Sequence, residues 1–176
     1  MSIRPRRYTQ LVDSMHPPVL AAGYIIRDAT PGDIPTIVHH RLRMFEEMGV
    51  ALDRQAVSAA FSAWLTEHLP AGTYRAWLVE HAGCAVAGGG LVALPWPPGP
   101  RELSGRLPIV YNVYTEPAHR RRGLARAVME TIHAWCLEAG YRTVGLSASD
   151  EGRPLYDSLG YREPPRPYLF VTLGPT

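Results

Sequence analysis

Between Val110 and Ala125 the chain changes character three times. Val110-Tyr111-Asn112-Val113-Tyr114-Thr115 is rich in β-branched and aromatic residues and reads as a strand. Pro117 ends it, because proline has no N–H to give to a ladder. A turn carrying Arg120, Arg121 and Arg122 follows, then Gly123, then Leu124, Val128, Ile132 and Trp135 at helical spacing. A helix start presents unpaired N–H groups and the positive end of a dipole. Glycine lets backbone approach a ligand, and arginines supply fixed positive charge. A start built this way holds a phosphate group.

The rest of the chain fits around this unit. Residues 1–23 contain Pro5, Pro17 and Pro18 without a clean period and read as an N-terminal arm, with residues 24–174 as a single domain. Tyr24 to Ala29 reads as a first strand. Thr30 then serves as N-cap, Pro31 as first helical residue and Asp33 as first-turn acid of a helix carrying Ile34, Ile37, Val38, Leu42, Phe45 and Met48, stopped by Gly49. A second helix begins near Asp53, presents Val57, Ala60, Phe61, Trp64 and Leu65 on one side, and ends at Pro70-Ala71-Gly72. Tyr74 to Glu80 and Cys84 to Leu94 read as a hairpin, with Gly88-Gly89-Gly90 marking a bulge or close backbone approach. Pro95 to Pro108 reads as a long irregular surface loop before the strand Ile109 to Thr115. After the basic turn comes a helix capped at Gly140, a strand Thr143 to Ala148, a short helix Arg153 to Ser158 closed by Gly160, and a last strand Tyr168 to Leu173. This order favours a mixed sheet with helices on both faces.

Composition excludes several classes of function. A formal net charge of +2 is too small to suggest nucleic acid. Cys84 and Cys136 lack metal-ligand or redox spacing, which suits a reduced cytoplasmic protein. The basic N-terminus leads into a proline-interrupted polar stretch, so no signal peptide is expected, and no apolar run approaches the ~20 residues that span a bilayer. His39 and His40 are adjacent and lack the i, i+4 spacing of a helical metal site, so the histidines are expected in surface or capping roles, without a metal. Trp64, Trp77 and Trp135 read as core residues.

Two motifs carry a family resemblance. Arg120-x-x-Gly123-x-Ala125 resembles the pyrophosphate turn, Arg/Gln-x-x-Gly-x-Gly/Ala, of the GNAT superfamily of acetyl-CoA-dependent N-acetyltransferases. Leu155-Tyr156-Asp157-Ser158-Leu159-Gly160-Tyr161 resembles the second signature of that family, Leu-Tyr-x-x-x-Gly-Phe/Tyr. The resemblance implies a mixed α/β (α+β) fold whose central, mostly antiparallel twisted sheet has about six to seven strands, with helices on both faces. It implies acetyl-CoA as cosubstrate and no metal. Backbone groups of Val113, Tyr114 and Thr115 would pair with the pantetheine arm. Amides of Arg121, Arg122, Gly123, Leu124 and Ala125 would cradle the pyrophosphate, with Arg120 and Arg122 adding charge. Tyr156 would lie close to the CoA sulfur and act as general acid. Ser149 stands where the family often has Asn, at the cofactor side of the short helix.

The general base is less clear from the sequence. Many members of that family carry a carboxylate on the central strand, where this chain has Tyr111 and Asn112. Glu116, Glu46, Glu47 or a water relay ending on Tyr111 are the candidates. Glu46, Glu47, Asn112 and Trp96 are expected at the acceptor side, Trp96 as a lid or as a pin for its loop. The expected activity is acetyl transfer to a primary amine by direct attack in a ternary complex. The expected partner is a small-molecule amine, an amino sugar or aminoglycoside-type compound within that class, with neither nucleic acid nor membrane; a homodimer is compatible with this reading. A protein or peptide N-terminal acetyltransferase and a non-catalytic CoA-binding regulatory module are the alternatives.

Overall fold

Residues 20–100 and 102–163 are described by the structure, a computed structural model. The expected last strand, residues 168–173, lies outside them, as do residues 1–19 of the expected arm.

Strand β1 (Tyr24–Asp28) leads into a single 3-10 turn, Pro31–Asp33, and helix α1 (Ile34–Glu47). Asp33 organises this entry: its Oδ2 accepts from the Thr30 N–H at 2.7 Å and from the Thr30 hydroxyl at 2.8 Å. Its two oxygens also accept from Arg27 at 2.8 Å each, which holds the carboxyl well below the usual carboxylate range. Helix α2 (Arg54–His68) starts where expected, with the Asp53 side chain accepting from the Ala56 N–H at 3.0 Å. Strands β2 (Tyr74–His81) and β3 (Cys84–Pro95) form the expected hairpin, and Ala82 and Gly83 turn it with φ of 50° and 78°. Strand β4 (Arg106–Thr115), helix α3 (Leu124–Glu138), strand β5 (Gly145–Leu146) and helix α4 (Arg153–Ser158) complete the described chain.

The strands lie in sequence order, antiparallel from β1 to β4, with β5 parallel to β4. Strand β2 shows how the sheet is covered. Tyr74, Ala76 and Leu78 join Ile37, Val38, Leu42 and Leu65 in one core. Trp77 and Val79, pointing the other way, join Val128, Met129 and Ile132 of α3 in a second. Helices therefore cover both faces, as the order of elements implies.

Two boundaries differ from expectation. The irregular connection expected over residues 95–108 is shorter, because strand reaches in from both ends: Pro95 pairs with Arg106, Leu94 with Leu107 and Ala93 with Pro108, and the Trp96 N–H donates to Gly105 O at 2.8 Å. A proline lacks a donor, but its φ suits an extended chain and its carbonyl still accepts. Strand β5 is shorter than Thr143 to Ala148, because only two of its residues meet β4. Five strands stand among the described residues, in the expected mixed, mostly antiparallel arrangement. Glu102 fastens the β3–β4 connection to the chain before β5. It is 6% exposed, and its carboxylate accepts from the N–H groups of Ser104, Arg142 and Thr143 at 3.0, 2.8 and 3.2 Å. These donors hold its pKa well below the ordinary value.

Candidate active site

The three glycines of β3 face a bulge in β4. Gly88 stands opposite Tyr114 and Gly90 opposite Tyr111, so Gly89 alone faces Asn112 and Val113. Asn112 absorbs the extra residue with φ of 58°, a conformation asparagine tolerates better than most side chains. A Cβ on Gly88 would sit 2.6 Å from Leu78 Cδ2, and one on Gly89 would sit 2.9 Å from Val128 Cγ1. Both cores press on this segment, so only glycine fits. The Asn112 side chain is buried and engaged. Its Oδ1 accepts from Arg41 Nη1 at 2.5 Å, and its Nδ2 donates to the Tyr74 hydroxyl at 3.2 Å.

Beside the bulge the sheet opens. Parallel pairing between β4 and β5 consists of Ile109 with Gly145 and Val110 with Leu146. From Tyr111 to Thr115, β4 has no partner on that edge among the described residues. Its N–H groups on that edge meet no described strand, and fixed N–H donors in such a gap suit the developing oxyanion of acyl transfer.

The open edge runs into the basic turn. Pro117–His119 makes a 3-10 turn, Arg121 and Gly123 take φ of 61° and 79°, and α3 begins at Leu124. Among the described residues that helix start has no side-chain cap, it carries no acid in its first turn, and nothing crowds Gly123. Arg121 and Arg122 are exposed and end on no carboxylate among the described residues. Free amides, free cations and an absent side chain fit a pyrophosphate. Arg120 differs. Its Nε donates to Thr115 O at 2.9 Å, its Nη2 to Glu47 Oε2 at 2.5 Å, and its guanidinium lies 5.6 Å from the Tyr114 ring centre. Glu47 also accepts from the Tyr114 hydroxyl at 3.0 Å, so it ties α1 to the turn. Glu46 accepts from Arg43 at 3.1 Å and from Arg54. Both carboxylates expected at the acceptor side are thus occupied by arginines.

Tyr156 of α4 is 8% exposed, with its ring edge toward Tyr161 and no hydrogen bond to its hydroxyl among the described residues. Burial pushes its pKa up. Ser149 acts as a cap, its Oγ accepting from the Gly152 N–H at 3.2 Å. Tyr111 is exposed beside the bulge. Trp96 adjoins the Pro95–Arg106 pair, and Arg106 is five residues, about 17 Å of strand, from Tyr111. The structure therefore brings Tyr111, Asn112, Val113 and the turn together and leaves Trp96 at the other end of β4.

Glu116, at the end of β4, turns toward α1. Its Oε1 lies 3.0 Å from His39 Nε2 and 3.7 Å from His40 Nε2. His40 departs from the expected surface role. It is 2% exposed, neither ring nitrogen has a hydrogen-bond partner among the described residues, and burial lowers its pKa to about 4. With Ile37, Tyr74, Ala76, Gly88 and Asn112 it lines a small cavity under the bulge. The sequence does carry a signal for this burial: His40 follows Ile37 by three residues on the apolar stripe of α1.

An unpaired strand edge leading into an uncapped helix start suits acyl transfer from a phosphate-bearing carrier. The family model of the acetyltransferase (GNAT) domain matches residues 72–163, and the chain belongs to that family of acyltransferases. The structure is similar to a GCN5-related N-acetyltransferase from Ralstonia eutropha JMP134, at 31% identity and a TM-score of 0.77 over 85% of this chain and 99% of that one. It is similar in fold to a predicted acetyltransferase with acetyl-CoA from Clostridium acetobutylicum, at 23% identity and a TM-score of 0.78 over 85% and 96%. A glucosamine-6-phosphate N-acetyltransferase from Arabidopsis thaliana shares the fold at 16% identity and a TM-score of 0.64 over 84% and 97%. No curated protein matches the sequence. Among the described residues no helix is long and apolar enough to cross a membrane, and no group of three or more His, Cys, Asp or Glu is placed to hold a metal ion.

Proposed function

We propose that the protein transfers the acetyl group of acetyl-CoA to a primary amine of a small molecule by direct attack in a ternary complex. One observation carries this reading: β4 parts from β5 after Val110 and then runs directly into the turn at Arg120 to Gly123. A pantetheine arm can pair with Val113 to Thr115 while its pyrophosphate meets the amides of residues 121–125 and the charges of Arg121 and Arg122. Backbone donors aimed at the oxyanion contribute roughly 2.7–4 kcal/mol each in other acyl-transfer sites.

The thioester supplies the acyl group. An alkylammonium has a pKa near ~10.4 and must lose a proton before attack. Glu116 accepts that proton, with His39 at 3.0 Å fixing its carboxylate and Tyr111 joining through water. The amine nitrogen bonds to the carbonyl carbon, the C–S bond breaks, and the nitrogen sheds its second proton to water to leave a neutral amide. Tyr156 gives its proton to the departing sulfur, and its phenolate is reprotonated from solvent; burial favours its protonated form, which is the form a donor needs.

Thiol release from acetyl-CoA, measured across amino sugars, polyamines, amino acids and peptides, tests the proposal. Release with one class of small amine is the expected result. Silence together with tight CoA binding would replace it with a CoA-binding regulatory module. Turnover confined to peptide N-termini would replace the acceptor class.

A further inference from the structure

Arg41 is built unlike the arginines near it. Arg43 and Arg120 both end on glutamates, whereas Arg41 meets no carboxylate among the described residues. Its guanidinium carbon lies 4.8 Å from the Phe45 ring centre and 4.6 Å from that of Phe61. Among the described residues one N–H is used, on the neutral Asn112 amide at 2.5 Å. A guanidinium has five N–H donors, so most of its capacity is unspent. Removing a cation from water without a counter-charge is costly, and burial pulls the Arg41 pKa below its ordinary value. Outside the described residues only one carboxylate side chain, Asp13, exists in residues 1–19 and 164–176.

Its position gives the unspent capacity a use. Asn112 is the bulge residue of β4, and exposed Tyr111 is a phenolic neighbour of Arg41. The guanidinium thus borders the point where β4 leaves β5, which an attacking amine has to reach. Two aromatic rings hold the fork, and the planar geometry matches the two oxygens of a carboxylate or phosphate.

We propose that Arg41 binds an anionic group of the acceptor, so that the amines used by this site also carry a carboxylate or a phosphate. The inference rests on the acetyl-transfer reading and narrows it, away from polycationic aminoglycosides and toward amino acids or phosphorylated amines.

The test uses matched acceptors: β-alanine against β-alaninamide, and phosphoethanolamine against ethanolamine. They are assayed with the full chain and with Arg41→Gln and Arg41→Lys, whose folding is checked by thermal melting. Wild type should prefer the anionic member of at least one pair by tenfold or more in kcat/KM, and which pair does so separates carboxylate from phosphate. Arg41→Gln should erase that preference through KM for the anionic acceptor, without changing KM for acetyl-CoA, and Arg41→Lys should restore part of it. Equal use of both members, or a loss in Arg41→Gln shared by both, would overturn the inference. Calorimetric binding of the same acceptors to CoA-saturated protein keeps the two proposals apart. Arg41-dependent binding of the anionic members without transfer would retain the anion site and discard acetyl transfer to them. Absence of both binding and discrimination would overturn the anion site.

Discussion

Arg120 Nη2 donates to Glu47 Oε2 at 2.5 Å, joining the turn before α3 to the last residue of α1 across 73 positions of sequence. Arg120 is consumed by this contact, by Thr115 O and by the Tyr114 face, while Arg121 and Arg122 remain turned to solvent. Arg121→Gln combined with Arg122→Gln is therefore expected to raise KM for acetyl-CoA severalfold with little change in stability. Glu47→Gln should cost under about 1 kcal/mol, since partly exposed pairs contribute little. Steady-state kinetics and urea denaturation of the variants check both statements.

Two glycines should respond in different ways. A Cβ on Gly90 would lie 2.5 Å from Tyr74 Cζ and 2.6 Å from Arg75 O, so backbone or ring has to shift. Gly90→Ala is expected to lower stability by roughly 1–3 kcal/mol, the usual range for overpacking. Gly123 has open space around it but φ of 79°. Gly123→Ala should cost about 1–2 kcal/mol of backbone strain and, unlike Gly90→Ala, raise KM for acetyl-CoA directly. Denaturation midpoints read beside KM values separate the two.

His40 makes stability depend on pH in a defined window. Its folded pKa of about 4 lies below the unfolded value of 6.5. Above pH 6.5 both states are neutral and His40 adds no slope. From pH 6.5 to 4 the unfolded chain binds a proton that the folded chain refuses, so stability falls as pH falls. The full loss is on the order of 3 kcal/mol. The charged and titratable groups facing His40 among the described residues are Glu116, His39 and the phenols of Tyr74 and Tyr114. The Asp33–Arg27 pair acts lower: the folded pKa of Asp33 is depressed, so its contribution is lost only as pH falls below the usual carboxylate value. Urea titrations between pH 7 and 4 should show His40→Gln with a flatter slope than wild type, whatever its absolute stability.

Tyr156→Phe removes the proposed proton donor while preserving a buried ring. A fall in kcat of about a hundredfold, at the lower end for general acid catalysis, is expected, together with loss of the alkaline limb of the pH–rate profile. Unchanged kcat and profile would assign Tyr156 to packing alone.

The parts legible in the sequence are the local ones. Thr30, Asp33, Asp53, Gly49, Gly123 and Gly140 punctuate helices through bonds or φ values set within a few residues, and each appears where the local pattern places it. The Gly88 to Gly90 bulge is legible too, since three glycines in a β-rich run mark a stretch where side chains would not fit. Only the two ends of the stretch Pro95 to Pro108 mislead, because proline reads as a breaker, whereas an antiparallel end pair needs only an extended φ and an acceptor. His40 is hidden by its polarity, which outweighs its place on the apolar stripe of α1.

The sequence by itself determined the strand, the turn, the helix start and the family to which they belong, because motif residues adjacent in the chain impose their geometry on one another. Only the tertiary structure decided what the charged side chains near that motif do. Arg41 meets Asn112 across 71 positions, and His39 meets Glu116 across 77. Nothing in local propensity records such distances. Whether a glutamate or an arginine is spent on a neighbour or kept for a ligand is fixed by how α1 lies across β4. That placement follows from packing Ile37, Val38 and Leu42 against β2, which involves neither side chain.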